Sequence, residues 1–88
     1  MVRMSLAVID LETSGLTPLH NGILSIGAVN FSDPSKTFYE ECRIHGDKRI
    51  DPPALAVNGF TEAQCRDATK ESDATLITHF EEWAAEND

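Results

Sequence analysis

The chain is organised around the stretch Val8-Ile9-Asp10-Leu11-Glu12-Thr13-Ser14-Gly15. The short apolar run over residues 6–9 contains β-branched side chains and predicts a buried β-strand. Because side chains alternate across a strand, Asp10 and Glu12 are expected on one face, about 7 Å apart. The polar residues that follow predict a turn, in which Gly15 is free to adopt a positive φ. Two carboxylates are therefore expected side by side where the strand ends.

This carboxylate pair has two interpretations. Two like charges on one face, with no cation beside them in sequence, repel each other, and a hard divalent cation removes that repulsion. Carboxylate oxygens are the ligands that Mg²⁺ and Mn²⁺ prefer, so the pair predicts a metal site. An Asp-x-Glu pair at the end of a strand is also an ordinary solvated rim. Taken without its surroundings, the pair favours the solvated rim.

Two further strands are predicted after this stretch. Residues 23–31 are apolar on both faces and predict a central strand. Residues 37–44 predict a third strand, in which Tyr39 and Glu41 share one face. Because the connections between the strands are short, we expect an antiparallel meander.

The second half of the sequence predicts helices. A short helix is expected over residues 53–57, with Gly59 just beyond its end, and another begins after Thr61 in a capping box. A longer helix is predicted over residues 73–86 and capped by Ser72. Its apolar stripe is expected to pack on the sheet and consists of Leu76, Ile77, Phe80, Trp83 and Ala84.

Length and composition limit the function classes. A chain of 88 residues forms one domain at most and buries only somewhat over ~60% of its unfolded surface. Its formal net charge of −8 argues against a stand-alone nucleic-acid binder. Cys42 and Cys65 are expected to be reduced, structural thiols. Without a membrane-spanning run or a signal peptide, the chain is predicted to be cytoplasmic and to have no membrane partner.

The central stretch resembles the first motif of a known family. Asp10-Leu11-Glu12-Thr13-Ser14-Gly15-Leu16, followed by Ile23-Leu24-Ser25-Ile26-Gly27-Ala28-Val29, is similar to the pattern of the DEDD superfamily of 3′→5′ exonucleases. That superfamily includes the proofreading subunit of the bacterial replicative polymerase, ribonuclease T and oligoribonuclease. Its pattern is an apolar strand, Asp-x-Glu-Thr-(Thr/Ser)-Gly-Leu, and a second apolar strand ending near Ile-Gly-Ala. The similarity runs in the right order over residues 10–29.

The resemblance implies an α/β, ribonuclease H-like exonuclease fold. Residues 1–88 would form the N-terminal part of an incomplete exonuclease domain, truncated to an antiparallel three-stranded sheet with packed helices. The missing strands would pair with the first strand and leave its edge open here. The later carboxylates of the family, and its His or Tyr general base, have no counterpart in the 88 residues. We therefore expect this chain, taken alone, to be inactive.

The resemblance also implies a chemistry and a site. The complete protein would hydrolyse phosphodiester bonds from a single-stranded 3′ end of DNA or RNA, with two Mg²⁺ or Mn²⁺ ions. Asp10 and Glu12 would be the catalytic metal ligands, with Asp10 bridging the two ions. The segment around Asn58 resembles a family segment that approaches the terminal nucleotide. The substrate contacts implied in this way are Thr13, Ser14, Leu16 and Asn58.

Other interpretations of these residues stay open at the level of sequence. Thr13 and Ser14 are also ordinary turn-forming hydroxyls, Leu16 an ordinary core or loop residue, and Asn58 an ordinary residue at a helix end. The alternative function is a non-catalytic interaction module that keeps the half-fold and binds a partner along the open sheet edge. A homo-oligomer through that edge belongs to the same expectation. An Mg²⁺-dependent phosphatase or transferase is disfavoured by the context of residues 10–15.

Overall fold

The computed structural model describes residues 6–87 and has an antiparallel three-stranded sheet at its centre. The strands lie in the order β1-β2-β3 and are β1 (Ala7–Thr13), β2 (Ile23–Asn30) and β3 (Thr37–Glu41). The helices found within these residues are α1 (Pro52–Asn58), α2 (Glu62–Cys65) and α3 (Asp73–Glu86). The predicted α/β arrangement, an open antiparallel sheet with packed helices, is confirmed.

The pairing register decides which side chains share a face of the sheet. Directly opposed residues lie on the same face, and two cross-strand rows are Asp10–Gly27–Tyr39 and Glu12–Ser25–Glu41. Their side chains point away from α3, which packs on the opposite face of β2 and β3. We call the face that carries Asp10, Glu12, Tyr39 and Glu41 the carboxylate face, and the side covered by α3 the helix face.

An aromatic cluster holds α3 against the sheet. Phe38 of β3 lies edge-on to Phe80, with 5.7 Å between the ring centroids, and 6.1 Å from Trp83. Beside this cluster, Leu76 is fully buried against Ile26. The predicted stripe of α3 therefore does pack on the sheet, except at its outer edge: Ile77, expected in the stripe, is 37% exposed.

The helix boundaries follow their predicted caps. The capping box of Thr61 and Gln64 is present, and the Ser72 hydroxyl accepts a hydrogen bond from the N–H of Thr75. Gly59 ends α1 with a φ of 80°, in the left-handed region that favours glycine. Near these caps, a second apolar cluster joins Leu24 to Cys65 of α2.

The burial predicted for the first strand is wrong. Residues 7–9 and Leu11 belong to an edge strand, and its large apolar side chains, Val8, Ile9 and Leu11, are 49–57% exposed. The reason is that α3 packs over β2 and β3, so β1 receives little cover from it. The strand ends at Thr13, so Asp10 and Glu12 lie in its C-terminal half, as expected. At the other side of the sheet, β3 stops at Glu41 rather than at residue 44.

Gly15, which is free to adopt a positive φ, does not adopt one. Among the described residues only Gly59 has one. Gly15 is instead needed for close packing, because a Cβ there would lie 2.5 Å from the Asn21 side chain and would collide with the Asp51 carboxylate. The glycine of the motif therefore makes room for two polar side chains.

Candidate functional site

The carboxylate pair on β1 is the starting point of the site. Asp10 is exposed and Glu12 half-buried, and the regular ladder from Asp10 to Glu12 places both on the carboxylate face. Their positions two residues apart separate them by about 7 Å along the strand. Within residues 6–87, neither carboxylate forms an ion pair with a Lys, Arg or His. The pair is accessible and, in the part of the chain that the structure describes, has no ion-pair partner.

A third carboxylate shares this face. Glu41 lies in the same row as Glu12, accepts a hydrogen bond of 2.8 Å from the Tyr39 hydroxyl, and forms an ion pair of 2.8 Å with Lys70. The bond from Lys70 lowers the pKa of Glu41, so it stays an anion. Desolvation, then the hydrogen bond to Glu41, raises the pKa of Tyr39. The sequence predicts that Tyr39 and Glu41 share one face of β3. That this face is also the face of the β1 carboxylates depends on the pairing register of the strands, which the sequence does not show.

A cleft opens beside the pair, with a volume of about 630 Å³. Glu12, Thr13, Leu16 and Asn58, which sequence analysis singled out, all line it. Its other walls are largely apolar and include Leu11, Pro52, Pro53, Ala54 and Val57. The Leu16 side chain is 98% exposed at the rim, so it belongs neither to the core nor to a packed loop. The cleft thus combines two acidic residues, Glu12 and Asp51, with an apolar wall.

Asn58 connects α1 to the end of β1. Its side-chain amide donates to the carbonyl oxygen of Thr13 at 3.1 Å, and its Oδ1 accepts from the N–H of Phe60 at 3.0 Å. The two segments are 45 residues apart in sequence. Because its amide bridges both segments, Asn58 fixes one wall of the cleft against the motif.

The hydroxyls of Thr13 and Ser14 form hydrogen bonds to backbone groups of the chain. Thr13 Oγ1 donates to the carbonyl oxygen of Gly15 at 2.8 Å. Ser14 is fully buried; its hydroxyl donates to Arg49 O at 2.6 Å and accepts from the Gly22 N–H at 2.9 Å. The substrate contacts expected of Thr13 and Ser14 stay a prediction. The hydrogen bonds seen here are those of the turn-forming alternative.

Asn21, which is buried, forms further hydrogen bonds that hold this loop, and its role has no local signal in the sequence. The Asn21 amide donates to the carbonyl oxygen of Arg49 at 2.8 Å and to Asp51 Oδ2 at 3.1 Å, and its Oδ1 accepts from the N–H of Thr17 at 3.0 Å. In sequence, Asn21 precedes a glycine and indicates only a turn. Its contacts with residues 49–51 anchor the motif loop to the segment that leads into α1.

A second polar cluster lies on the helix face. His79 Nδ1 of α3 is 2.8 Å from Glu40 Oε1 and 3.1 Å from Glu71 Oε2. The hydrogen bond with Glu40 is the main cause that raises the pKa of His79. The hydrogen bond shared by the two carboxyl groups raises the pKa of Glu71 and lowers that of Glu40. The sequence holds no local signal for this cluster, because Glu40 lies 39 residues from His79.

Comparison with known proteins adds no assignment: no protein-family model matches this sequence, and a search of curated proteins finds no significant match. Among the helices of residues 6–87, none combines the length and apolar character needed to cross a membrane.

Proposed function

We propose that this chain carries the first half of the catalytic site of a metal-dependent 3′→5′ exonuclease with a ribonuclease H-like fold. One observation carries the proposal: the hydrogen bond from Asn58 to Thr13, which joins two segments 45 residues apart. The family resemblance assigns both segments to the same end of the substrate. Their meeting beside Asp10 and Glu12, around one cleft, is the arrangement that a 3′-end site needs.

The donor set fits a hard divalent cation. Asp10 and Glu12 offer carboxylate oxygens only, are accessible, and lie on one face of β1. Mg²⁺ and Mn²⁺ prefer oxygen ligands. When bound, such an ion would supply Lewis-acid activation of a phosphodiester. The chain itself supplies the two carboxylates and their position on the strand.

The cleft fits one terminal nucleotide in chemical terms. Its apolar wall, with Leu16 and Val57 exposed at 98% and 87%, offers surface for a base or sugar. Glu12 stands at the polar side of the same cleft. Asn58 acts here as a positioning residue, because both ends of its amide are already used within the chain.

The metal site is tested by titrating Mn²⁺ into ¹⁵N-labelled protein and following paramagnetic broadening of the amide resonances. We expect broadening centred on residues 10–13, with a dissociation constant on the order of millimolar, as for sparse carboxylate sites. The near-isosteric Asp10→Asn variant should lose it. Asp33→Asn, which alters an aspartate in an exposed turn hydrogen bond, is the matched control and should keep it. Broadening that survives in Asp10→Asn would exclude this site.

The cleft is tested separately with thymidine 5′-monophosphate and uridine 5′-monophosphate, in the presence of Mg²⁺. Shift changes are expected at Thr13, Leu16 and Asn58. A Leu16→Ala variant should weaken them, whereas Leu19→Ala, at another exposed leucine outside the cleft, should not. If the shift changes are the same in Leu16→Ala as in the parent chain, the nucleotides bind elsewhere. Comparison of the two nucleotides addresses the choice between DNA and RNA.

A second candidate function is an interaction module that pairs through β1 with a second copy of the chain. The observation that favours it is the open edge of β1 with apolar side chains about half exposed on both faces, among them Val8 and Ile9. Light scattering across a concentration series should then show a dimer. Val8→Lys should abolish the dimer, because a charge on an edge strand opposes pairing, and Leu19→Lys, at an exposed leucine outside β1, should not. A monomer at every concentration would exclude this function.

A further inference from the structure

Three metal-ligating side chains from separate parts of the chain converge on the helix face. Glu40 comes from β3, Glu71 from the loop before α3, and His79 from the second turn of α3. One ligand atom from each lies within 4.8 Å of the other two. We propose that Glu40, Glu71 and His79 form a binding site for a zinc-type dication, distinct from the pair on the carboxylate face.

The spacing of the ligand atoms suits a tetrahedral ion. Zinc ligands at about 2.0–2.2 Å from the metal stand roughly 3.4 Å from one another. His79 Nδ1 lies 2.8 Å from Glu40 Oε1 and 3.1 Å from Glu71 Oε2, the distances of direct hydrogen bonds. Outward movement by about half an ångström, within the reach of side-chain torsions, makes room for the ion.

Exposure leaves the site open to a metal and to water. The side chains of His79, Glu40 and Glu71 are 42%, 33% and 23% exposed. A zinc ion held by three protein ligands keeps a further coordination position, and solvent reaches this site to fill it. The three ligands are thus neither buried in the core nor free on the surface.

The backbone around the site restricts two of the three ligands. The N–H of Arg43, which follows β3, donates to the carbonyl oxygen of Glu71 at 2.9 Å, and Glu71 forms a β-bridge with Cys42. Ser72, the next residue, caps α3 and fixes the start of the helix that carries His79. The loop and helix are therefore tied to β3 by main-chain bonds that do not depend on the three side chains.

Charge and ligand type select the ion. Two glutamates face one imidazole, and Glu82 adds a further negative charge near His79. A dication offsets this excess better than a single imidazolium. Imidazole nitrogen favours Zn²⁺ and similar metals over Mg²⁺, whereas the all-carboxylate pair on β1 favours Mg²⁺ or Mn²⁺. The two faces of the sheet therefore present two different donor sets.

The test uses the full chain, stripped of metal with a chelator and titrated with Zn²⁺ by calorimetry. We expect one ion per chain and a rise of several degrees in the melting temperature at saturation. Loss of a residue that only hydrogen-bonds to a metal ligand weakens metal binding by about 10–100-fold. Loss of a ligand itself, in His79→Ala, should therefore weaken Zn²⁺ binding at least tenfold. The matched controls His45→Ala, at another histidine, and Asp33→Ala, at an aspartate in an exposed turn, should bind Zn²⁺ as the parent chain does.

A readout on the unaltered chain keeps the test independent of how the variants fold. In long-range ¹H–¹⁵N spectra of the imidazole rings, Zn²⁺ should shift Nδ1 of His79 and leave His20 and His45 unchanged. The conservative Glu71→Gln should reduce the affinity as well. Undetectable binding at millimolar Zn²⁺, or equal binding by His79→Ala, would overturn the site. Binding lost only in Asp10→Ala would also overturn it, and would assign the ion to the carboxylate pair.

Discussion

At the scale of single residues, the loop after β1 depends on the buried hydroxyl of Ser14. This hydroxyl satisfies both Arg49 O and the Gly22 N–H, at 2.6 and 2.9 Å. Ser14→Ala leaves both groups without that partner and should lower the free energy of unfolding by about 1–3 kcal/mol. Ser35→Ala, at an exposed turn hydroxyl, should change it by less than about 0.5 kcal/mol. Urea unfolding followed by Trp83 fluorescence measures both, and equal values would contradict the structural role of Ser14.

The two cysteines give a second test at this scale. Both are free and buried. Burial raises the pKa of the Cys42 thiol to about 11, and it also raises that of Cys65. Since the thiolate is the reactive form, a raised pKa lowers reactivity at every pH below it. At pH 8 an aromatic disulfide reagent should therefore modify neither thiol in the native protein and both in denaturant.

A thiol that reacts rapidly under native conditions would show that the apolar clusters around these cysteines open easily. The matched reference is the same reaction in denaturant, where both thiols have ordinary pKa values. Slow modification at the rate of unfolding would agree with the structure.

Which site residues the sequence could predict depends on how local their cause is. The common face of Asp10 and Glu12 follows from strand alternation, which needs no distant partner. The roles of Ser14 and Asn21 were not predictable, because the carbonyl oxygen that both contact belongs to Arg49, 35 and 28 residues away. Glu41 was missed for the same reason, since only the pairing register places it in the row of Glu12, with Ser25 between the two.

At the scale of elements, the boundaries that depend on local sequence signals were predicted correctly. The burial of β1 was not. The bounds of α3 and its Ser72 cap were predicted correctly. A helix cap and the spacing of apolar residues along a helix both depend only on residues that are close in sequence. β1 was correctly predicted as a strand from its β-branched residues, yet wrongly as buried. Burial requires a layer over the strand, and in the described residues α3 lies over β2 and β3. Whether such a layer exists is decided by topology.

The attachment of α3 can be tested at its aromatic cluster. Phe80 contacts Phe38 and Trp83, with ring centroids 5.7 and 6.2 Å away. Phe80→Ala should lower the free energy of unfolding by about 2–4 kcal/mol, somewhat less than for a fully buried aromatic ring. Phe31→Ala, at a phenylalanine that is 65% exposed, should cost less than about 0.5 kcal/mol.

The sole tryptophan of the chain, Trp83, remains in both variants and reports unfolding in urea. Because it stacks on Phe80, its native emission should move to longer wavelength in Phe80→Ala and stay unchanged in Phe31→Ala. Equal stability of the two variants would mean that α3 is held mainly by Leu76 and not by the aromatic cluster.

At the scale of the whole molecule, the structure is elongated, with principal extents of 47 × 24 × 23 Å. Its radius of gyration is 14.3 Å, whereas a compact domain of this length has a value of about 12 Å. The exposed edge of β1 and the small number of fully buried side chains agree with that difference. A chain of this kind has a small margin of stability, so losses of a few kcal/mol at Ser14 or Phe80 represent a large share of it.

The molecular charge bears on activity, and here we expect a negative result. Asp10 and Glu12 supply too few fixed ligands for two divalent ions, and Mg²⁺ is normally secured by substrate phosphates as well. Those phosphates would approach a chain with a net charge of −8. His79 lies on the helix face, away from the pair, so it offers no base for the attacking water. This 88-residue chain should therefore not degrade nucleic acid.

The measurement is incubation of the purified chain with 5′-labelled single-stranded DNA and RNA in Mn²⁺, with the products resolved by length. The expected result is no shortening, and Asp10→Ala is the control for trace nuclease, because a contaminant would act equally in both preparations. Shortening by the parent chain that disappears in Asp10→Ala would contradict the prediction. It would mean that the missing ligands come from a second copy. The open edge of β1 is the natural contact for that copy, and the Val8→Lys variant should then be as inactive as Asp10→Ala.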